Sequence, residues 1–389
     1  MRKLSNGIIF LLFMLANLVI AFLFLSDKEV LTEGHIFKES EKDIGAVEER
    51  LNLSDKYYYQ QLGDEEKRCY REICSGISEM NESIVVSNND FDLVSEILLD
   101  VLKDHPEYFW CDGESTGSYY NMIECTVLKP FYNCSVVEKQ IRQEEIDRSV
   151  SECLSGISLE VPDYEKILYV FEYLVNGTEY NKEASYNQNI YSALVNKETV
   201  CAGYAKAMQY LLNSLGVECI YVTGIAKNEP HAWNIVKCEG EYYHVDTTWG
   251  DPIYLGEDDI PDYIRTNYEY LCCNDSEIFR SHILDEGTYV PECTCMDWNY
   301  FVVNGMYYDF YDESMVLEKM VQSISSKDNS VVFKFSSEEV YSKAKGRILF
   351  DLVDESIERV YKENKVRVVQ YFYQDDAETN KIMIYWKYE

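Results

Sequence analysis

The stretch that most constrains this chain is HAWNIVKCEGEYYHVDTTWGDP, His231 to Pro252. Two runs rich in Val, Ile and Tyr flank Glu239-Gly240, and a two-residue connection containing glycine between such runs marks a tight β-hairpin. The turn sets the register. Cys238 lies opposite Glu241, Ile235 opposite His244, Trp233 opposite Asp246 and His231 opposite Thr248. Side chains two apart share a face, so His231, Trp233 and Asp246 project to one side. Asp246 becomes the diagonal neighbour of His231, with backbones roughly 7–8 Å apart, within reach of side-chain contact. A slip of one residue would place the two on opposite faces. A carboxylate that holds an imidazole in one tautomer leaves the other ring nitrogen to serve a nucleophile. His244 shares the parity of Asp246 but sits deeper in the hairpin, which favours a structural role.

The nucleophile that fits is a thiol upstream. In VCAGYAKAMQYLLNSLG, Val200 to Gly216, the residues Tyr204, Met208, Leu211, Leu212 and Leu215 fall on one helical face, and Gly216 stands where a C-terminal cap belongs. Cys201 opens this helix, where the positive end of the macrodipole favours negative charge on sulfur. Ala202, Gly203 and Ala205 leave room for another backbone or a substrate to approach.

The order Cys, His, Asp, with VCAGYA at a helix start, HAWN opening a strand and YYHVDTTWGDP ending the next, resembles the transglutaminase-like superfamily, and within it the bacterial extracytoplasmic branch. The match is dense from Tyr191 to Pro252 and looser through residues 270–293; the DHPEYFW stretch at 104–110 fits the upstream region of such proteins. The resemblance implies an α+β, papain-like core, with the nucleophile helix packed on an antiparallel sheet that carries His and Asp. It further implies Cys201 as nucleophile, His231 as base and then acid, and Asp246 as the orienting carboxylate. The reaction would be acyl transfer from a peptide or protein amide through a thioester. Water as acceptor makes a peptidase or amidase; an amine makes a cross-linker. An oxyanion needs two donors; the Cys201 N–H is one and Gln188 is a candidate for the other. Trp233 and Trp249 either shield the reacting pair from water or simply fill the core. No cofactor and no metal is expected, since no calcium loop spacing is present. The rival reading is a surface binding or scaffold module that keeps the fold and does little chemistry.

The formal charge of −34 over 389 residues, with no basic stripe, excludes nucleic acid as a partner. Arg2 and Lys3 precede Ile8–Leu25, an apolar run near the lower limit of the roughly 17–25 residues needed to cross a bilayer. The basic flank should remain cytoplasmic, placing the bulk of the chain outside a cell membrane, with a wall peptide among its candidate substrates. Secretion after cleavage is the alternative, although Phe24 and Ser26 make a poor cleavage site. Among 13 cysteines, Cys272-Cys273 and Cys293-x-Cys295 could together face zinc, but without C-x2-C spacing structural or disulfide roles fit better.

Along the chain we expect a tail and anchor over 1–26, a charged stalk over 27–54 and a mainly helical region over 55–160. A catalytic domain over 161–297 and an α+β region over 298–389 follow. Helices are expected over Phe91–Lys103, Val136–Leu154, Asp163–Val175, Glu313–Ile324 and Ser337–Asp354. Strands are expected over Tyr119–Leu128, Ser330–Phe335, Lys365–Phe372 and Lys381–Tyr388, with a hairpin at Asn304-Gly305.

Overall fold

The computed structural model describes residues 41–120, 124–251, 266–364 and 366–389. The expected membrane run Ile8–Leu25 lies outside these residues, and among those described no helix is long and apolar enough to cross a membrane. The fold is α+β, and the chain gathers into two compact units. The first takes the described residues up to Gly156 and adds Asn181–Leu211; the second takes Ile157–Tyr180 and Leu212–Glu389. Each unit therefore interleaves two stretches of sequence, whereas the expected segments run consecutively along it.

In the first unit, helix Phe91–Asp104 forms because its apolar residues recur on one face, burying Val94, Ile97, Leu98, Val101 and Leu102. Asp90 caps it by accepting from the Asp92 and Leu93 N–H groups. Helix Val136–Leu154 opens on a Ser135/Glu138 capping box and buries only Ile146 and Cys153, as its long charged face requires. In place of the single strand expected at Tyr119–Leu128, its described residues belong to two antiparallel strands, Cys111–Tyr120 and Cys125–Tyr132. A short strand, Ile84–Val86, pairs with the other edge of Cys125–Tyr132. Within the segment expected as a stalk, Glu41–Leu51 is helical.

The room at Gly203 is used by backbone. A Cβ there would meet the Thr199 side-chain oxygen and lie 3.0 and 3.1 Å from the Asn187 and Asn189 carbonyl oxygens. Gly203→Ala is expected to cost about 1–3 kcal/mol, because carbonyls of an ordered segment cannot yield as a flexible side chain would. Thermal denaturation reads this directly. An unchanged Tm would mean that the 187–189 segment moves aside freely.

The second unit begins with helix Asp163–Gly177 and holds a five-stranded antiparallel sheet. Its order is His282–Leu284, Cys219–Ala226, Glu229–Cys238, Glu241–Val245, Leu271–Cys273. A four-stranded sheet follows, in the order Tyr307–Tyr308, Ser330–Phe335, Lys381–Tyr388, Val368–Asp376. Around it, Phe333, Phe335, Ile382, Ile384 and Trp386 form a core with Val316, Met320 and Ile324 of helix Glu313–Ser326. The Asn304-Gly305 pair makes no hairpin. It ends the short helix Tyr300–Val303, after which Tyr307–Tyr308 pairs parallel to Ser330–Phe335. The helix expected to end at Asp354 continues to Asn364 through a wider turn at Ile348–Leu352.

Candidate active site

The central hairpin has the register that its turn dictates. Cys238 pairs with Glu241, Ile235 with His244, and Asn234 with Val245. Glu239 and Gly240 both have positive φ, 49° and 97°, the backbone of a turn whose twist matches that of the strands. The expected pairing ends at Val245. Asp246 leaves the sheet to cap the short helix Thr247–Gly250, so Thr248 is helical and does not face His231. The diagonal approach of Asp246 to His231 survives this change, because the cap begins immediately after the last paired residue. The His231 Nε2 and Asp246 Oδ2 atoms are 2.8 Å apart, with the carboxylate fully buried.

Asp246 is satisfied at both oxygens. Oδ1 accepts from the Thr248 and Trp249 N–H groups at 2.9 and 3.2 Å. Oδ2 faces a second imidazole as well, His282 Nε2, at 3.1 Å. Burial opposes its charge, but the interaction with His231 and the hydrogen bonds from His231 and His282 outweigh that and hold the carboxyl well below the ordinary range. An ionised carboxylate only accepts hydrogen bonds, so each imidazole presents Nε2–H to it. Nδ1 is then the basic nitrogen of His231.

His282 has no local signature in the sequence. Its strand pairs with Cys219–Ala226, placing His282 opposite Ala226, while His231 lies opposite Gly224 on the other side of the same strand. Gly224 and Ala226 share a face, and the two imidazoles opposite them have ring centres 5.3 Å apart; at Gly224 a side chain would meet the Ile283 carbonyl of the neighbouring strand. The small-x-small pattern was the available signal. It becomes readable only once the strand order is known.

Around these groups, Trp233 is fully buried and lies 6.2 Å from the His231 ring, while Trp249 is partly exposed and 5.6 Å from it. Trp233 Nε1–H donates to His244 Nδ1 at 3.1 Å, and His244 Nε2 meets Asp275 Oδ1 at 2.9 Å. Burial pushes the His244 pKa down against the pull of Asp275, so the ring is neutral with its proton on Nε2. It lies opposite Ile235, with both ring nitrogens taken up by Trp233 and the partly exposed Asp275.

Among the described residues, two groups bring three metal-capable donors within 4.8 Å of one another: His231, Asp246 and His282, and His244, Asp275 and Cys293. In the second, the indole N–H on Nδ1 keeps the proton on Nε2 and leaves no lone pair there for an ion. In the first, both Nε2–H groups are spent on the carboxylate. Hydrogen bonding accounts for both groups.

In the first unit, Cys201 opens the helix Cys201–Ser214 and is partly exposed. Tyr204, Met208, Leu211, Leu212 and Leu215 are buried, as the helical face requires, and Gly216 ends the helix with φ +77°. Gln188 is exposed, and its Nε2 donates to Asn187 Oδ1 at 3.3 Å. The Asn187 carbonyl accepts from Thr199 Oγ1 and Val200 N, which brings this segment to the start of the helix.

Residues 155–247 match the family model of the transglutaminase-like superfamily. The chain carries a transglutaminase-like domain. The matched stretch includes Cys201, His231 and Asp246 and stops short of Trp249 and His282. Kyphoscoliosis peptidase of Mus musculus is 27% identical over 126 residues, covering 28% of this chain and 19% of its own length. The Homo sapiens protein of the same name is 26% identical over 141 residues, covering 32% and 21%. The chain thus spans about a fifth of the length of these curated relatives. A crystal structure of a TGase aligns over 39% of this chain and 47% of its own, with 14% identity and a TM-score of 0.27.

Proposed function

We propose that the transglutaminase-like domain is a thiol acyltransferase or amidase in which Cys201 attacks a peptide or protein amide. The hydrogen bond between His231 and Asp246 carries this reading most directly. It fixes the imidazole with Nδ1 as base, the tautomer that accepts a thiol proton and later returns it to the leaving amine. The sulfur–carbonyl bond forms as the amide C–N bond breaks, giving a thioester. Water then releases an acid; a primary amine releases a new amide. The relatives' name, peptidase, favours water as acceptor. Ile8–Leu25 and its basic flank support a membrane-tethered enzyme working outside the cytoplasm.

Alkylation tests the proposal without a known substrate. Cys134, Cys201 and Cys295 are the partly exposed cysteines, so two of them are internal controls for access. Iodoacetamide should modify Cys201 about tenfold faster than Cys134 or Cys295, and His231→Ala should remove that excess. Equal rates in the unmodified chain and in His231→Ala would overturn the assignment and favour a binding or scaffold module. Incubation of the probe-reactive protein with cell-surface peptides, with and without a primary amine, then separates hydrolysis from transfer. Turnover that disappears in Cys201→Ala supports the enzyme reading.

A further inference from the structure

The first unit contains a second cysteine, histidine and carboxylate in line. Cys74, on helix Asp64–Ser78, has its Sγ 3.5 Å from His105 Nε2; His105 Nδ1 is 2.7 Å from Glu107 Oε1. The Tyr108 hydroxyl reaches the same sulfur at 3.2 Å, and its ring stacks on His105 at 4.7 Å between centres. Lys56 Nζ lies 3.7 Å from the same Glu107 oxygen, Oε1. Cys74 is fully buried and His105 is 2% exposed, while a third of the Glu107 side chain is open to solvent.

We propose that Cys74, His105 and Glu107 form a second thiol centre, whose substrate is a small hydroperoxide and not an amide. Two features set the substrate class. The sulfur is closed to anything of peptide size, whereas hydrogen peroxide is little larger than water. Around the sulfur stand two groups able to donate hydrogen bonds, an imidazole braced by a carboxylate and a phenol, so negative charge on it is met without water.

The step is balanced within these residues. The Cys74 thiol passes its proton to His105 Nε2, and the sulfur attacks one peroxide oxygen. The S–O bond forms, the O–O bond breaks, and the departing oxygen takes the proton from His105 to leave as water. The cysteine is oxidised to sulfenic acid and the peroxide reduced. The charge pattern supports a proton-holding role for His105. Although burial disfavours its charge, hydrogen bonds with Cys74 and Glu107 raise its pKa to about 9. The Glu107 carboxyl is drawn down to about 2, its burial outweighed by the bond and charge of His105.

The same helix supplies the control. Cys69 is as fully buried as Cys74, yet burial and the neighbouring Glu72 push its thiol up to about 12. The full chain is exposed to dilute hydrogen peroxide, the peroxide is removed with catalase, and the chain is denatured in dimedone. Trapping then does not require reagent to enter the folded core. Peptide mass spectrometry should find dimedone on Cys74 at least tenfold faster than on Cys69. Glu107→Gln should slow Cys74 about tenfold while leaving peroxide reactivity at Cys201 unchanged. Cys74 reacting no faster than Cys69, or at the same rate in a folded Glu107→Gln protein, would overturn the proposal. If that variant does not fold, the Cys74 to Cys69 ratio in the unmodified chain decides alone.

Discussion

Asp246→Asn is expected to lower the turnover of the proposed reaction by about 10⁴-fold, with a far smaller effect on stability. The asymmetry follows from what each carboxylate oxygen does. Oδ1 caps the helix Thr247–Gly250, and an asparagine carbonyl placed there caps nearly as well. The amide nitrogen must then take the place of Oδ2, between His231 and His282. An NH₂ group cannot accept from either imidazole. His231 must move its proton to Nδ1, and the nitrogen that should act as base becomes a donor. Loss should therefore fall on kcat rather than KM, and on the alkylation rate of Cys201 if that is the readout. His282→Gln is the companion measurement, because its amide N–H can still donate to Oδ2. A loss of no more than about tenfold would identify His282 as a positioning residue that acts through Asp246. An Asp246→Asn protein with undiminished turnover would show that the carboxylate does not set the working tautomer.

The part of this site that was legible in sequence is the part fixed by local rules. A two-residue turn at Glu239-Gly240 admits one register, and parity did the rest, bringing His231 and Asp246 together before any strand order was known. The same local logic misplaced Thr248, because it cannot tell where a strand stops and a cap begins. It also read Asn304-Gly305 as a hairpin, where the dipeptide ends a helix instead; positive φ at glycine serves both purposes. His282 and the Cys74–His105 pair were illegible for another reason. Each depends on contacts between residues more than thirty apart in sequence, 36 for His282 with Asp246 and 31 for Cys74 with His105. Neither distance leaves a periodic trace.

Lys334→Met is expected to be the most destabilising of these substitutions, by about 3–5 kcal/mol. Lys334 is fully buried on strand Ser330–Phe335, paired with Glu269 and, at 2.8 Å, with Glu277. Directly opposite, Lys381 reaches the other oxygen of Glu269 at 2.8 Å. Arg280 meets the other oxygen of Glu277 at 3.2 Å, so two lysines and an arginine surround the two carboxylates, with Lys334 the cation between them. Removing Lys334 leaves Glu269 Oε1 and Glu277 Oε2 facing the same buried space with a local excess of negative charge, which costs more than the lost pair itself is worth. Adding Glu269→Gln to Lys334→Met removes that excess and should restore part of the stability, a non-additive result visible in a double-mutant cycle. The pH dependence has a definite sign. Burial works against the Glu269 charge, but Lys381 and Lys334 hold its pKa below the ordinary value, so its contribution is full above about pH 4.3 and is lost as pH falls through the folded value. Burial likewise disfavours charge on Lys334, but Glu269 and Glu277 raise its pKa, so its contribution is full below about pH 10.4 and is lost as pH rises through the folded value. The difference in denaturation free energy between Lys334→Met and the unmodified chain should therefore be widest between about pH 5 and 10 and narrow on acidification. A difference that stays constant down to pH 3 would mean that packing around Lys334, and not its charge, sustains this part of the fold.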